Sequence, residues 1–246
     1  MGRSQGAFVD RFRAVAFDLD GTLVDSAPDL AAAANGMLAA LGLRTLPVER
    51  VAAAIGEGID ALVVRTLTES AGRAPGADEI AAAASRFREI YAANVFRASR
   101  VYPGVKEGLE RLAARGLPLG CITNKASRFA KALLREAGLA PWLTFVECAE
   151  TPGQRKPAPD LLLKACGGLG IAPPGLLYVG DSALDVAAAR AAGCPVVMVA
   201  YGYHRGRPPS ESGADGVIAS LADLAEMRAV FPTPGVPPQG HPPKDG

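Results

Sequence analysis

The sequence predicts an α/β fold, with a parallel sheet flanked by helices and a small helical domain inserted into it. Short apolar runs recur along the chain, and their ranges are 13–18, 117–123, 176–181 and 195–200. Helical patterns, such as 105–115 and 127–137, lie between these runs. Alternating strands and helices are typical of βαβ units with right-handed crossovers. The predicted core is therefore a Rossmann-like parallel sheet, in which ligands bind beyond the carboxyl ends of the strands.

The first predicted strand ends at two carboxylates one residue apart, Asp18 and Asp20, which Gly21 and Thr22 follow. Aspartate is a poor strand residue, so this pair calls for an explanation. One carboxylate could attack phosphorus, and the other could protonate the leaving oxygen and later activate water. An Asx turn or a helix cap is the structural alternative, and the pair alone leaves both interpretations open.

Residues 27–97 form an alanine-rich stretch in which apolar residues recur at helical spacing. Ser26 is a candidate N-cap, and Pro28 lies in the first turn of the expected helix. We expect a helical cap domain over 27–97, inserted into an α/β core formed by 1–26 and 98–230. Residues 231–246 are rich in proline and glycine and are expected to form a flexible tail.

Two further motifs follow the insertion. Thr123 and Asn124 end the second apolar run, where a hydroxyl and backbone N–H groups leading into a helix suit a phosphate. A Thr-Asn helix cap is the alternative. Lys156 precedes Pro157, which restricts the backbone. Its charge could pair with a phosphate or with the acids, although a solvated lysine would explain it equally well.

The segment 180–193 carries two acids four residues apart, Asp181 and Asp185, at a strand-to-helix junction. With Asp18 and the backbone of Asp20 they could supply oxygen ligands to Mg²⁺. Four carboxylates against one expected lysine, Lys156, is a charge balance that a cation must correct. Capping of the helix by Asp181 or Ser182, with Gly193 closing it, is compatible with this role.

Composition limits the class of protein further. The 246 residues are 49% hydrophobic and carry a net charge of +1, so we expect no nucleic-acid partner and no membrane partner. We find neither a signal peptide nor a membrane-spanning run. The four cysteines lack close pairing or metal-type spacing, which favours a reducing, cytoplasmic setting. A monomer and a homodimer both remain open.

Together these motifs resemble the haloacid-dehalogenase-type phosphohydrolase superfamily over residues 13–224. The segments DLDGTLVDSAPDLAAA, IGEGIDALVVRTL and AYGYHRG further resemble bacterial phosphoglycolate phosphatases. The resemblance implies a Mg²⁺-dependent phosphomonoester hydrolase that acts on a small phosphorylated metabolite, 2-phosphoglycolate. It departs from the family pattern at Leu184 and His204, where relatives often carry asparagine.

The resemblance also implies roles for individual residues. Asp18 would be the nucleophile and Asp20 the acid/base. Thr123 and Lys156 would hold the phosphate, and Asn124 and Asp185 would support the site from nearby. Asp181 would bind Mg²⁺ together with Asp18 and the Asp20 carbonyl.

The motifs are compatible with several other activities. A sugar-phosphate mutase resembling β-phosphoglucomutase, a phosphatase for another small metabolite or pyrophosphate, and a silent binding protein on the same fold remain open. Asp20 argues against a dehalogenase and against a silent protein. Residues 27–97 contain no lysine for a Schiff base, which argues against a phosphonate-cleaving enzyme.

The helical insertion should determine selectivity, because the core motifs recognise only the phosphoryl group. The insertion contains several arginines and a Gly56-x-Gly58 turn. Arg65 is the candidate for holding a substrate carboxylate, since a guanidinium binds carboxylates in bidentate fashion. We also expect the insertion to act as a mobile lid, with hinges near Ser26 and Ser99.

Overall fold

The computed structural model describes residues 7–204, 206 and 208–227, so the predicted tail over 231–246 lies outside the described residues. Its main feature is a six-stranded sheet in the order β5-β4-β1-β6-β7-β8, in which all neighbouring strands are parallel. The strands are β1 (Ala14–Phe17), β4 (Leu119–Thr123), β5 (Phe145–Cys148), β6 (Leu176–Gly180), β7 (Val196–Val199) and β8 (Gly216–Ile218). The predicted fold class is confirmed.

Strand β1 lies at the centre of the sheet because it is apolar on both faces. All four of its residues are buried, as expected of a parallel strand covered by helices on both sides. Phe17 pairs with Cys121 of β4 and with Val179 of β6. The residues that follow β1, β4 and β6 therefore emerge side by side at one edge of the sheet.

Helices cover both faces of the sheet, and the sheet separates the apolar core into two clusters. Val15 and Phe17 belong to one cluster, while Ala14 and Ala16 belong to the other. This alternation follows from the two-residue period of a strand. The flanking helices are α5 (Val105–Ala114), α6 (Ser127–Glu136), α7 (Asp160–Leu169), α8 (Ala183–Ala192) and α9 (Leu221–Leu224).

Residues 27–97 are helical, as the sequence predicts. The helices are α1 (Ala27–Ala40), α2 (Val48–Ala52), α3 (Ile59–Ala71) and α4 (Ala77–Ala92). We refer to residues 27–97 as the helical insertion; its status as a separate domain stays a prediction. No helix among the described residues is long and apolar enough to cross a bilayer.

The two chain crossings into the helical insertion are joined by a short antiparallel ribbon that the sequence analysis does not predict. Strands β2 (Val24–Asp25) and β3 (Arg100–Val101) pair there. Edge strands β5 and β8 were also missed. Strands of two to four residues are too short to show a reliable two-residue alternation.

The crossings are also fastened by buried polar contacts. Asp29, in the first turn of α1, accepts hydrogen bonds from the backbone N–H of Ala98 at 2.8 Å and of Ser99 at 2.8 Å. The Ser99 hydroxyl donates to the same carboxylate at 2.6 Å. Ser26 occupies the N-cap position of α1 but makes no capping hydrogen bond. Ser26 therefore occupies the predicted N-cap position but does not cap α1 with its side chain, because its hydroxyl donates to Asp20 instead.

Candidate active site

A cluster of buried carboxylates lies at the carboxyl edge of the sheet. Asp18 follows β1, and Asp181 follows β6, and both are buried. Oxygens of Asp18, Asp181 and Asp185 all lie within 4.8 Å of one another. Parallel neighbouring strands end at the same edge, which is why residues more than 160 positions apart in the sequence meet here.

The turn after β1 requires a glycine. Gly21 has φ +90°, and a side-chain carbon there would collide with the Asp181 carboxylate. Thr22 donates to one Asp181 oxygen at 3.1 Å, and the Tyr203 backbone N–H donates to the other at 2.6 Å. Both oxygens of Asp181 are therefore oriented by the protein.

Lys156 connects the acids on the sheet side of the cluster. Its ammonium lies 2.8 Å from an Asp18 oxygen and 2.7 Å from an Asp185 oxygen, and it donates to the Tyr178 hydroxyl at 2.8 Å. Of the two ionic partners considered from the sequence, the structure places Lys156 on the acids. Its contact with a phosphate stays a prediction.

The Asp185 carboxylate is occupied by hydrogen bonds within the protein and lies in the first turn of α8. The Ser182 hydroxyl donates to it at 2.6 Å and the Ser182 backbone N–H at 2.9 Å. Ser182 is the N-cap residue of α8, and Gly193 closes the helix in a left-handed conformation. The sequence analysis expects Asp181 or Ser182 as the cap, and the structure places Ser182 there, with Asp185 both bound to the cap residue and part of the acid cluster.

The electrostatics of the cluster separate its three carboxyls. Burial raises the pKa of Asp18 to about 7; Lys156 opposes this shift and Asp185 adds to it. Burial also raises the pKa of Asp181, with Asp185 and Asp18 contributing. Burial would raise the pKa of Asp185 as well, but Lys156 and Ser182 hold it below its ordinary value. The protein therefore favours the protonated forms of Asp18 and Asp181, because it does not fully compensate their negative charge when they ionise.

These donors fit a divalent cation. Hard cations of this charge take carboxylate and carbonyl oxygens and compensate the repulsion between neighbouring acids. The raised pKa values of Asp18 and Asp181 indicate that their ionised forms lack compensating charge, whereas Lys156 and Ser182 already stabilise the ionised form of Asp185. Asp185 is thus better suited to orienting its neighbours than to direct ligation.

Asp20 faces a second lysine that the sequence analysis missed. The Lys125 ammonium lies 2.9 and 3.0 Å from the two oxygens of Asp20, and the Ser26 hydroxyl donates to Asp20 at 2.5 Å. The site therefore holds two lysines rather than the one expected. The available signal was position alone: Lys125 follows Thr123 by two residues at the end of β4.

Thr123 and Asn124 lie beside this pair and do not cap a helix. Helix α6 begins at Ser127. Thr123 accepts a hydrogen bond from the Lys125 backbone N–H at 3.2 Å. The Asn124 amide donates to the Gly56 carbonyl at 2.8 Å and to the Lys156 carbonyl at 3.0 Å, and its oxygen accepts from Lys156 N–H at 2.7 Å. Asn124 thus joins the helical insertion at Gly56 to the backbone of Lys156 in the core.

A cavity of about 30 Å³ lies between the sheet edge and the helical insertion. Its walls combine the polar residues of the core with apolar residues of the insertion. The lining residues are Asp18, Asp20, Leu30, Ile55, Gly56, Gly58, Ile59, Leu62, Thr123, Asn124 and Lys125. A water molecule needs roughly 10–15 Å³ by the same measure, so only a few atoms fit beside the acids in this arrangement.

Arg65 is not among the lining residues of this cavity. Its guanidinium pairs with Glu57 at 2.5 Å, and both side chains are partly exposed. The predicted contact between Arg65 and a substrate carboxylate stays a prediction. A different arginine of the core, Arg155, reaches the insertion: it donates to the Glu57 carbonyl at 3.3 Å and to Asp60 at 3.3 Å.

The two departures from the family pattern lie close to the acids. Leu184 lines a smaller cavity that also contacts Asp18, Lys156 and Asp181. The Nδ1 atom of His204 lies 2.7 Å from the Asp181 carbonyl oxygen, so this nitrogen carries the proton. Both positions therefore adjoin the candidate metal ligand.

Comparison with known proteins leads to the same group. The chain matches the haloacid dehalogenase-like hydrolase family over residues 12–193. It is 45% identical over 215 residues to the phosphoglycolate phosphatase of Thiobacillus denitrificans, which covers 87% of this chain and 95% of that protein. It is 46% identical over 214 residues to a plasmid phosphoglycolate phosphatase of Cupriavidus necator, with 87% and 92% covered.

A solved structure agrees with these relatives. The crystal structure of a predicted phosphoglycolate phosphatase from Haemophilus somnus superposes with a TM-score of 0.84 at 35% identity, over 88% of this chain and 97% of that one. The parallel sheet, the acids at its carboxyl edge and these likenesses agree. The chain belongs to the haloacid dehalogenase-like hydrolases and, within them, to the family of the phosphoglycolate phosphatases.

Proposed function

We propose that this protein is a Mg²⁺-dependent phosphomonoester hydrolase that forms an aspartyl-phosphate on Asp18. The observation that carries the proposal is that two neighbouring carboxyl groups, Asp18 and Asp20, have different surroundings. Asp18 lies in the acid cluster beside Lys156, whereas Asp20 lies across the cavity, held by Lys125 and Ser26. Two carboxyls in distinct environments suit a nucleophile and an acid/base.

In the first half of the reaction an Asp18 oxygen attacks phosphorus, and the bond to the leaving oxygen breaks. The Lys156 ammonium contacts one oxygen of Asp18 and so fixes the orientation of this carboxylate. Asp20 donates a proton to the leaving oxygen. Thr123, Asn124 and Lys156 are the candidates for holding the transferred phosphoryl group.

In the second half, Asp20 accepts a proton from the water that attacks the phosphorus of the aspartyl-phosphate. Phosphate leaves, and the Asp18 carboxylate is restored. Asp18, Asp181 and the Asp20 carbonyl are the groups that would hold Mg²⁺, which supplies positive charge to the anionic reactants when bound. Asp185 would orient its neighbours, because its own oxygens accept from Lys156 and Ser182.

The proposed substrate is 2-phosphoglycolate, which gives glycolate and phosphate. The relatives named phosphoglycolate phosphatase support this substrate. A sugar-phosphate mutase uses the same core chemistry and is the alternative that the experiment must separate from the phosphatase. The four cysteines are all free, in keeping with the proposed cytoplasmic location.

Phosphate release from a panel of small phosphomonoesters tests the proposal. We expect kcat/KM to be highest for 2-phosphoglycolate, ahead of β-glycerophosphate, glucose 1-phosphate and pyrophosphate, and activity to disappear in excess chelator and return with Mg²⁺. Isomerised sugar phosphate as the main product would establish the mutase instead. Undiminished activity in chelator would contradict the metal requirement.

A further inference from the structure

We infer that Lys125 binds the second anionic group of the substrate, a carboxylate on the carbon chain that is esterified to the phosphate. The inference rests on the proposed function, since it concerns substrate selection at the same site. It replaces Arg65 of the insertion with a lysine of the core as the residue that distinguishes 2-phosphoglycolate from uncharged phosphomonoesters.

The first argument is the composition of the cavity wall. Four apolar side chains of the helical insertion, Leu30, Ile55, Ile59 and Leu62, line the cavity, and Lys125 is the one cation among the described lining residues. A carboxylate that enters an apolar enclosure without a cationic partner pays a large desolvation cost. A substrate that carries one therefore needs Lys125.

The second argument is that the other cationic side chains nearby are paired with protein groups outside this cavity or away from Asp20. Lys156 is buried against Asp18, Asp185 and the Tyr178 hydroxyl. Arg65 pairs with Glu57, and Arg155 contacts the Glu57 carbonyl and Asp60 on the far side of Gly58. None of these three lines the cavity of about 30 Å³; Lys156 lines only the smaller cavity next to it, on the side of Asp181.

The third argument is that Lys125 is held firmly yet can exchange its partner. Its side chain is 4% exposed, and its ammonium lies 4.8 Å from the centre of the Tyr91 ring of α4. An ammonium has three donors on a flexible stem, so it can contact a substrate carboxylate beside Asp20 or in its place. If it turns away, Asp20 keeps the hydrogen bond from Ser26.

The experiment compares two matched pairs of ligands. Turnover is measured with 2-phosphoglycolate and with 2-hydroxyethyl phosphate, in which an alcohol replaces the carboxylate. Binding is measured by calorimetry with Mg²⁺ and two phosphonates that cannot turn over, 3-phosphonopropanoate and propylphosphonate. Each pair gives a ratio of carboxylate-bearing to uncharged ligand. The ratio cancels any general loss of activity caused by disturbing Asp20.

The variants are Lys125→Met, Lys125→Arg, Arg65→Ala and, as a control, Lys131→Met on the exposed face of α6. We expect Lys125→Met to lower both ratios by about 10- to 100-fold, the range for losing one hydrogen bond to a charged group. Lys125→Arg should keep most of the preference because it keeps the charge. Arg65→Ala and Lys131→Met should leave both ratios within about threefold.

Unchanged ratios in Lys125→Met, loss of preference in Arg65→Ala, or a wild type that shows no preference for the carboxylate would each overturn the inference. Unchanged ratios that accompany an equal loss of turnover or affinity for both ligands of a pair would show that Lys125 only holds Asp20. A wild type that releases no phosphate from either ester would overturn the proposed function, while the phosphonate ratios would still decide the role of Lys125. Circular dichroism checks that Lys125→Met is folded.

Discussion

The acid cluster around Asp18 and the pair formed by Asp20 and Lys125 lie at the same edge of the sheet, but they are held in different ways. Residues of the core alone hold the cluster, through Lys156, Ser182, Thr22 and Tyr203. The pair also depends on the helical insertion, through the Ser26 crossing and the Tyr91 ring.

This difference separates chemistry from selection. In the proposed mechanism, the groups around the attacked phosphorus are positioned without the insertion, whereas the proposed acid/base and the apolar wall of the cavity depend on where the insertion lies. A change in the cluster should therefore abolish the reaction. A change at the contact between core and insertion should alter substrate preference or affinity first.

The largest expected effect is at the nucleophile. Asp18→Asn should lower kcat on the order of 10⁴-fold or more, because an amide cannot form the acyl phosphate that the reaction requires. The fold should persist, since asparagine has the same shape and Lys156 retains Asp185. Steady-state kinetics and a thermal melt check this, and substantial residual turnover in a folded variant would contradict the role of Asp18.

The acid/base should show a smaller effect that depends on the leaving group. Asp20→Asn should slow alkyl phosphates by about 10²- to 10⁴-fold and slow an aryl phosphate much less, because an acidic phenol leaves without a proton. The comparison of 2-phosphoglycolate with p-nitrophenyl phosphate measures this. Equal losses for the two esters would make Asp20 structural rather than catalytic.

The cluster also predicts how the stability of the metal-free protein depends on pH. Asp18 has its pKa raised to about 7 in the folded state, so the folded protein retains a proton there that the unfolded chain releases near pH 4. The stabilisation from this proton is therefore fully present below about pH 4 and is lost as pH rises through 7. Between pH 5 and pH 8 the free energy of unfolding should fall by about 2–3 kcal/mol.

Denaturant titrations at several pH values measure this change. Asp18→Asn should flatten the slope, and Mg²⁺ should oppose it because a bound cation favours ionised carboxylates. Stability that rises with pH across this range in the metal-free wild type would contradict the assignment of an uncompensated charge to the cluster.

The smallest expected effect is at the contact between core and insertion. Arg155 joins the two parts through Asp60, which also pairs with Arg88. Arg155→Met should raise KM by a few-fold with little change in kcat, since a partly exposed ion pair contributes about 0.2–1 kcal/mol. Arg50→Met, which removes a pair with Glu69 within the insertion, is the matched control. A similar rise in KM in both variants would contradict a specific role of the Arg155–Asp60 contact in positioning the insertion over the site.

The comparison also shows what sequence reasoning could reach. Asp18, Thr123 and Asp181 were placed together because each ends a predicted strand, and parallel strands bring their ends to one edge. Asp185 was reached because it lies four residues after Asp181 at a strand-to-helix junction, and Ser182 was one of the two candidate caps of that helix. These contacts come from local patterns repeated along the chain.

The contacts that were missed join distant parts of the chain without a local pattern. Lys125 meets Asp20 across 105 positions, and Ser26 turns its hydroxyl away from the helix that it was expected to cap. The ribbon of β2 and β3 has two residues a strand, too few to show alternation. Which cation faces a cavity depends on packing, and spacing alone does not determine it.

The most direct test of the account is chemical trapping of the intermediate. The protein is mixed with 2-phosphoglycolate and Mg²⁺, quenched during turnover, reduced with borohydride and digested for mass spectrometry; Asp20→Asn with p-nitrophenyl phosphate serves as a slower-turning sample. An aspartyl-phosphate is reduced to homoserine, and we expect homoserine at position 18, absent when substrate or Mg²⁺ is omitted. Phosphate release with homoserine at another position, or with none in either sample, would contradict the central role of Asp18.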